Sequence, residues 1–211
     1  MSDTDALDLS APAVAPERTE RGESAGEYVL LGMPDLNGSL RGKALRRDAF
    51  ESAVRDGTVM TDLLLALDPV DTPITDYERF GIRSGAGDLI VRPELDTLRP
   101  LAWRPGWSIC LATPSWRDGT RCELAAREVL RDALAGMAEL GYDVMAAFEY
   151  ELRVRDADGE PLSSGISYSL TEVGRFEEFV ARLVPALSAL GVDLTAVHTE
   201  AGPGLLELNL A

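Results

Sequence analysis

The residues best equipped for chemistry are four glutamates set in apolar, strand-like sequence. Glu149 and Glu151 lie in Ala147-Phe-Glu-Tyr-Glu-Leu-Arg-Val154, and Glu200 and Glu207 lie in His198-Thr-Glu-Ala-Gly-Pro-Gly-Leu-Leu-Glu-Leu-Asn209. In the first stretch, strand alternation puts Phe148, Tyr150 and Leu152 on one face and Ala147, Glu149, Glu151 and Arg153 on the other, so both carboxylates point the same way. In the second, Ala-Gly-Pro-Gly is turn chemistry between two apolar runs. A four-residue hairpin loop there sets His198 opposite Glu207, with Glu200 diagonal to it, and turns Leu206, Leu208 and Leu210 toward a core. Carboxylates gathered on one face raise one another's pKa unless a cation sits among them. Oxygen-rich sets of this kind suit Mg²⁺ or Mn²⁺. Either stretch alone also fits the solvated polar face of an antiparallel strand. His198, the only histidine, reads first as a structural hydrogen-bond partner of Glu207, with a ligand or proton-transfer role second.

The surrounding sequence supplies elements to hold these groups. Leu124–Leu140 carries apolar residues at helical spacing and stops at Gly141, leading into the Glu149/Glu151 strand. A turn at Arg155–Pro161 and a Ser/Gly-rich loop through Tyr168 and Ser169 come next. Glu172–Leu190 then reads as an amphipathic helix over a sheet, with Pro185 expected to kink it. Upstream, Val29–Met33 is strand-like, Asn37-Gly38 fits a tight hairpin turn, Arg47–Asp56 fits a short helix closed by Gly57, and Met60–Leu67 fits another short element. Asp68–Gly87 reads as a loop whose Asp68, Asp71 and Asp76 cap turns. Asp88–Arg92 and Ser108–Ala112 read as buried strands of one small sheet, with Trp103, Trp107 and Trp116 packing rather than binding. The expectation is an α+β chain: a disordered acidic tail over 1–26, a small N-terminal domain over 27–116, and a second, helix-covered antiparallel-sheet domain over 117–211. Residue 211 falls inside an apolar run, which suggests a chain truncated at its C-terminus.

Composition excludes several classes. With 36 Asp and Glu against 20 Lys and Arg, there is no basic patch for nucleic acid. No apolar run reaches the roughly 18–20 residues of a membrane span, and no secretory signal opens the chain, so a cytoplasmic location is expected. Cys110 and Cys122 are too few for a disulfide framework. Two acids on one strand face cannot flank a glycosidic bond from opposite sides. No P-loop, GxGxxG or nucleophilic serine motif points to another enzyme class.

The order Glu-x-Glu on a strand, a long helix, then His-x-Glu-x-Gly-Pro-Gly-x-x-Glu resembles the first half of the glutamine synthetase catalytic domain. Arg92-Pro-Glu-Leu-Asp-Thr-Leu-Arg-Pro-Leu-Ala-Trp103 resembles that family's Pro-Asp-x-x-Thr-x-x-x-x-Pro-Trp signature, and Asp35-Leu-Asn-Gly-Ser-Leu-Arg-Gly-Lys43 resembles its N-terminal β-grasp hairpin. The resemblance covers roughly residues 27–211. It implies ATP-dependent ligation of ammonia or another amine to the γ-carboxylate of glutamate through γ-glutamyl phosphate, in a ring-like homo-oligomer. It also implies that Glu151, Glu200 and Glu207 hold one Mg²⁺ or Mn²⁺ and Glu149 a second, whose other ligands, with most ATP and substrate contacts, lie beyond residue 211. Three departures stand out: Ala126-Arg127 replaces Pro-Arg, the Asp-Gly-Ser-Ser ammonium loop is missing, and Leu205 replaces a glutamine usual in ammonia-using members. The last favours an amine acceptor such as a polyamine or ethanolamine. On this reading the isolated chain is inactive; the alternative is a non-catalytic metal-binding or subunit-pairing remnant of the family.

Overall fold

A computed structural model describes residues 27–210, so the acidic tail expected over 1–26 lies outside the described residues. The architecture is α+β and falls into two compact units.

Among the described residues, the first unit spans 27–147 together with Pro185–Val192. β1 (Tyr28–Pro34) and β2 (Leu40–Arg46) form the hairpin expected from Asn37-Gly38. Gly38 takes φ 82°, and the Asp35 carboxylate accepts the N–H groups of Asn37 and Ser39 at 2.9 and 2.8 Å. Helix α1 (Arg47–Asp56) closes at Gly57, and β3 (Thr58–Thr61), β4 (Asp88–Pro93), β5 (Arg99–Pro100) and β6 (Trp107–Trp116) follow. The main path of the sheet runs β2-β1-β6-β4-β3, with β5 beside β6 and β1 parallel to β6. With α1 supplying Phe50 and Ala53 to a core of Val29, Leu31, Met33, Leu89, Val91 and Cys110, the arrangement is β-grasp-like. In the 68–87 loop Asp68 accepts from Val70 and Thr72 N–H, and Asp71, at φ 64°, pairs with Arg41 at 2.6 Å. Asp76 is exposed. Trp107 stacks on Tyr28 and Trp116 lies against Phe80, but Trp103, on the turn between β5 and β6, is 57 % exposed and does not pack as expected.

Helix α2 (Ala126–Glu139) matches the expected helix within two residues, yet most of its apolar stripe is open: Val129, Leu130, Leu134 and Leu140 are all exposed. Charge holds it instead. Glu94, after β4, takes Arg127 at 2.7 Å, Arg131 at 2.8 Å and the Thr113 hydroxyl. Glu128 is buried between Arg121 and Arg131, and Arg121 reaches Asp132 at 2.7 Å. Burial raises the Glu94 carboxyl, but Thr113 and the two guanidiniums outweigh it and hold it at about 2.

The second unit comprises Phe148–Val184 and residues 193 to 210. Its sheet is antiparallel, β7-β9-β8, from β7 (Tyr150–Arg153), β8 (Leu194–Thr199) and β9 (Leu205–Leu210). The expected strand over 147–154 is shortened: 147–149 have no partner in the ladder, and Phe148 is 78 % exposed. Without ladder hydrogen bonds an extended backbone has nothing to fix it. The expected helix over 172–190 is α3 (Leu170–Val173), a 3₁₀ turn over Gly174–Phe176, and α4 (Glu177–Ala189), which runs through Pro185. Phe176, Leu206 and Leu208 are buried, with Leu152, Val180, Leu183 and Val197 against them.

Candidate metal centre

Register builds the site. Among the β8–β9 pairs His198 faces Glu207, and on the other side of β9 Glu207 faces Glu151. Direct antiparallel partners share a face, with Cβ atoms about 4.5–5.5 Å apart, so a single row carries Glu151, Glu207 and His198. The 201–204 turn brings Glu200 back beside the row, closed by Glu200 N–H to the Leu205 carbonyl at 3.1 Å. Leu206 and Leu208 point into the core, the opposite face, as the alternation requires.

His198 lies between two carboxylates: Nδ1 is 3.3 Å from Glu200 Oε1 and Nε2 is 3.4 Å from Glu207 Oε1. The Nδ1 contact is not a hydrogen bond, and that nitrogen is buried without a hydrogen-bond partner. Glu207, the partner expected of His198, stands at the other nitrogen, Nε2. Glu207 Oε1 also accepts the Asn209 amide at 3.0 Å, and Glu200 Oε2 the Ala201 N–H at 3.2 Å. One ligand atom from each of His198, Glu200 and Glu207 can be chosen so that all lie within 4.8 Å of one another. An octahedral Mg²⁺ or Mn²⁺ spans about 4.2 Å between opposite ligands at ~2.1 Å each, so a small closure of this set suffices. An orphaned imidazole nitrogen beside two carboxylates fits a divalent cation in a mixed N/O set. Of the four glutamates singled out in the sequence, Glu200 and Glu207 enter this cluster and Glu151 stands across from Glu207. Glu149 lies ahead of β7, exposed.

Sequence reasoning gave no role to the side chains that frame the cluster. Tyr168, at φ 55°, stacks on the His198 ring with centroids 4.3 Å apart and planes 12° from parallel. Its loop lies on the hairpin: Ser163 accepts the Gly204 N–H, and a Cβ on Gly165 (φ 95°) would come within 2.6 Å of the Gly202 backbone. Thr199 and Glu172 anchor that loop from either side. The Ser/Gly-rich composition announced a loop; a left-handed tyrosine has no such signal.

These groups define a class first: a carboxylate–imidazole cluster on an antiparallel sheet, in a chain that also carries a β-grasp-like unit. Comparison then gives a family. Residues 123–211 match the sequence model of the glutamine synthetase catalytic domain. The chain is 30 % identical to a gamma-glutamylpolyamine synthetase, GlnA3, of Streptomyces coelicolor, over 100 % of this chain and 47 % of that protein. It is 28 % identical to the gamma-glutamylethanolamide synthetase GlnA4 of the same organism, over 93 % of this chain and 46 % of that one. The fold is that of a solved glutamine synthase homolog, with a TM-score of 0.74 at 24 % identity over 90 % of this chain and 45 % of that one. The resemblance to the glutamine synthetase family is borne out. The chain spans less than half the length of these relatives. Among the described residues no helix is long and apolar enough to cross a membrane.

Proposed function

We propose that this chain carries the divalent-cation cluster of a glutamate–amine ligase of the glutamine synthetase type, which joins an amine to the γ-carboxylate of glutamate at the expense of ATP. The observation that supports it most is the convergence of His198, Glu200 and Glu207 around an imidazole nitrogen that lacks a hydrogen-bond partner. Glu200 and Glu207 supply anionic oxygens, His198 a neutral nitrogen, and Glu151 adds negative charge from the neighbouring strand. Glu149 remains the proposed ligand of a second cation. A Mg²⁺ or Mn²⁺ held there offsets the repulsion between an anionic nucleophile and an anionic phosphoryl donor, the main barrier that positioning and charge must lower in such a transfer. The hairpin sets the row by backbone register, so the chain's own contribution is preorganised charge rather than covalent chemistry.

Leu205, apolar at the first position of β9 where ammonia-using members usually carry glutamine, favours an amine acceptor over ammonia. The same reading carries homo-oligomeric assembly and a cytoplasmic setting, where glutamate and ATP are at hand. Metal-dependent stability tests it. Mn²⁺ should raise the melting temperature with the logarithm of its concentration above Kd, worth about 2.7 kcal/mol at a hundred times Kd. Glu207→Gln should abolish that rise. Equal shifts in both chains would sink the proposal.

A further inference from the structure

The loop leading to Tyr168 is fixed by two groups that do not belong to the carboxylate cluster. On one side stands Glu172, 8 % exposed. Its carboxylate accepts the Ser164 N–H at 3.1 Å, the Ser164 hydroxyl at 2.5 Å and the Ile166 N–H at 3.5 Å. On the other side stands Thr199, fully buried between His198 and Glu200 in sequence. Its hydroxyl donates to the Ile166 carbonyl at 2.8 Å and accepts the Ser169 N–H at 3.0 Å, while its carbonyl takes the Tyr168 N–H at 2.8 Å. Ser169 in turn caps α3 by accepting the Glu172 N–H at 3.2 Å. Between these anchors Tyr168 holds a left-handed backbone, costly for an aromatic residue. The residue is 70 % exposed, so burial of its own side chain does not repay that conformation. The anchors impose it.

We propose that Glu172 is a positioning residue for the His198–Glu200–Glu207 cluster: through the Ser164–Ser169 loop it lays the Tyr168 ring flat on His198 and so fixes the rotation of the imidazole. The proposal rests on the cation reading of that cluster. It needs the carboxylate itself, because three donors converge on its two oxygens. Glutamine has a single acceptor oxygen and would set an amide NH₂ against those donors. A lost anchor frees the Tyr168 backbone to relax to negative φ, which takes the ring off the imidazole. His198 then turns among several rotations instead of one, and a ligand that must be reoriented binds a cation less tightly.

The single histidine makes this measurable. Its two ring C–H protons give unique proton NMR signals, displaced upfield by a tyrosine ring stacked on them. In the metal-free full chain, Tyr168→Ala gives the unstacked reference. Glu172→Gln should move both signals more than half of the way to that reference and weaken Mn²⁺ binding roughly tenfold, with Ser164→Ala moving them a smaller distance in the same direction. If Glu172→Gln lowers the melting temperature while the His198 signals stay at their wild-type positions, the residue is merely structural and the proposal fails. Should Glu172→Gln not fold, unshifted His198 signals in Ser164→Ala overturn it equally. Wild-type protein that binds no Mn²⁺ would defeat the cation reading, while the ring shifts would still decide whether Glu172 positions His198.

Discussion

Each unit gathers glutamates, and the two units treat them in opposite ways. In the first, Glu94 meets Arg127, Arg131 and Thr113, and Glu128 meets Arg121 and Arg131, so each of these carboxylates has guanidinium partners from its own chain. In the second, Glu200 and Glu207 flank a lone imidazole whose Nδ1 has no hydrogen bond, with Glu151 adding a further negative charge opposite Glu207. The first arrangement pairs each of these carboxylates with guanidiniums, although Arg127 Nε is itself buried without a hydrogen-bond partner. In the second, the basic partner that the structure gives Glu200 and Glu207 is His198, and on the proposed reading a bound cation completes the set.

The sharpest way to break the comparison is to neutralise one glutamate in each unit. Glu94→Gln leaves two arginines without their shared anion and is expected to cost about 3 kcal/mol. All three tryptophans, Trp103, Trp107 and Trp116, lie in the first unit, so fluorescence-detected urea unfolding reports that loss locally. Glu207→Gln, measured with EDTA present, should change stability by less than about 0.5 kcal/mol, since it removes repulsion and keeps an oxygen for Asn209. Equal losses at the two positions would show that Glu207 too is satisfied by the fold alone.

Acid should separate the units next. The Glu94 carboxyl is held at about 2, below its ordinary 4.5. A depressed carboxylate contributes its full stability above the ordinary value, and that contribution drains away as pH falls from roughly 4.5 toward 2. The tryptophan-reported midpoint should therefore drop through that window, and Glu94→Gln should flatten the drop. An unchanged acid profile in the variant would mean that Glu94 does not anchor α2.

Much of this was legible in the sequence, and the losses have physical causes. The β1–β2 hairpin, α1, the core strands and the register of His198 against Glu207 followed from turn chemistry and two-residue alternation, which are local rules. Period alone finds a helix but not its neighbours, so α2 was foreseen while its exposed Val129, Leu130 and Leu134 were not. The arginines holding α2 to Glu94 bridge more than thirty residues of sequence, beyond the reach of any window. Residues 147–149 alternate like a strand yet have no ladder partner. Tyr168 escaped notice for a different reason, since nothing in its side chain announces positive φ; only the joint grip of Glu172 and Thr199 selects it.

The smallest effect concerns the two glutamates of the first motif, which alternation alone treats as equals. Glu151 pairs with Glu207 across the ladder, so its charge sits on the order of 6 Å from a bound cation. At an effective dielectric between protein surface and water, a unit charge at that range is worth ~1 kcal/mol. Glu151→Gln should accordingly weaken Mn²⁺ binding by roughly three- to tenfold in calorimetric titration. Glu149, exposed like Glu151 but outside β7 and without a ladder partner, is not held beside Glu207, so solvent and salt screen its charge. Glu149→Gln should leave that affinity within about twofold. If the two substitutions weaken binding alike, residues 147–149 extend the strand when cation is present and Glu149 joins the cluster; if neither does, the cation is held by His198, Glu200 and Glu207 alone.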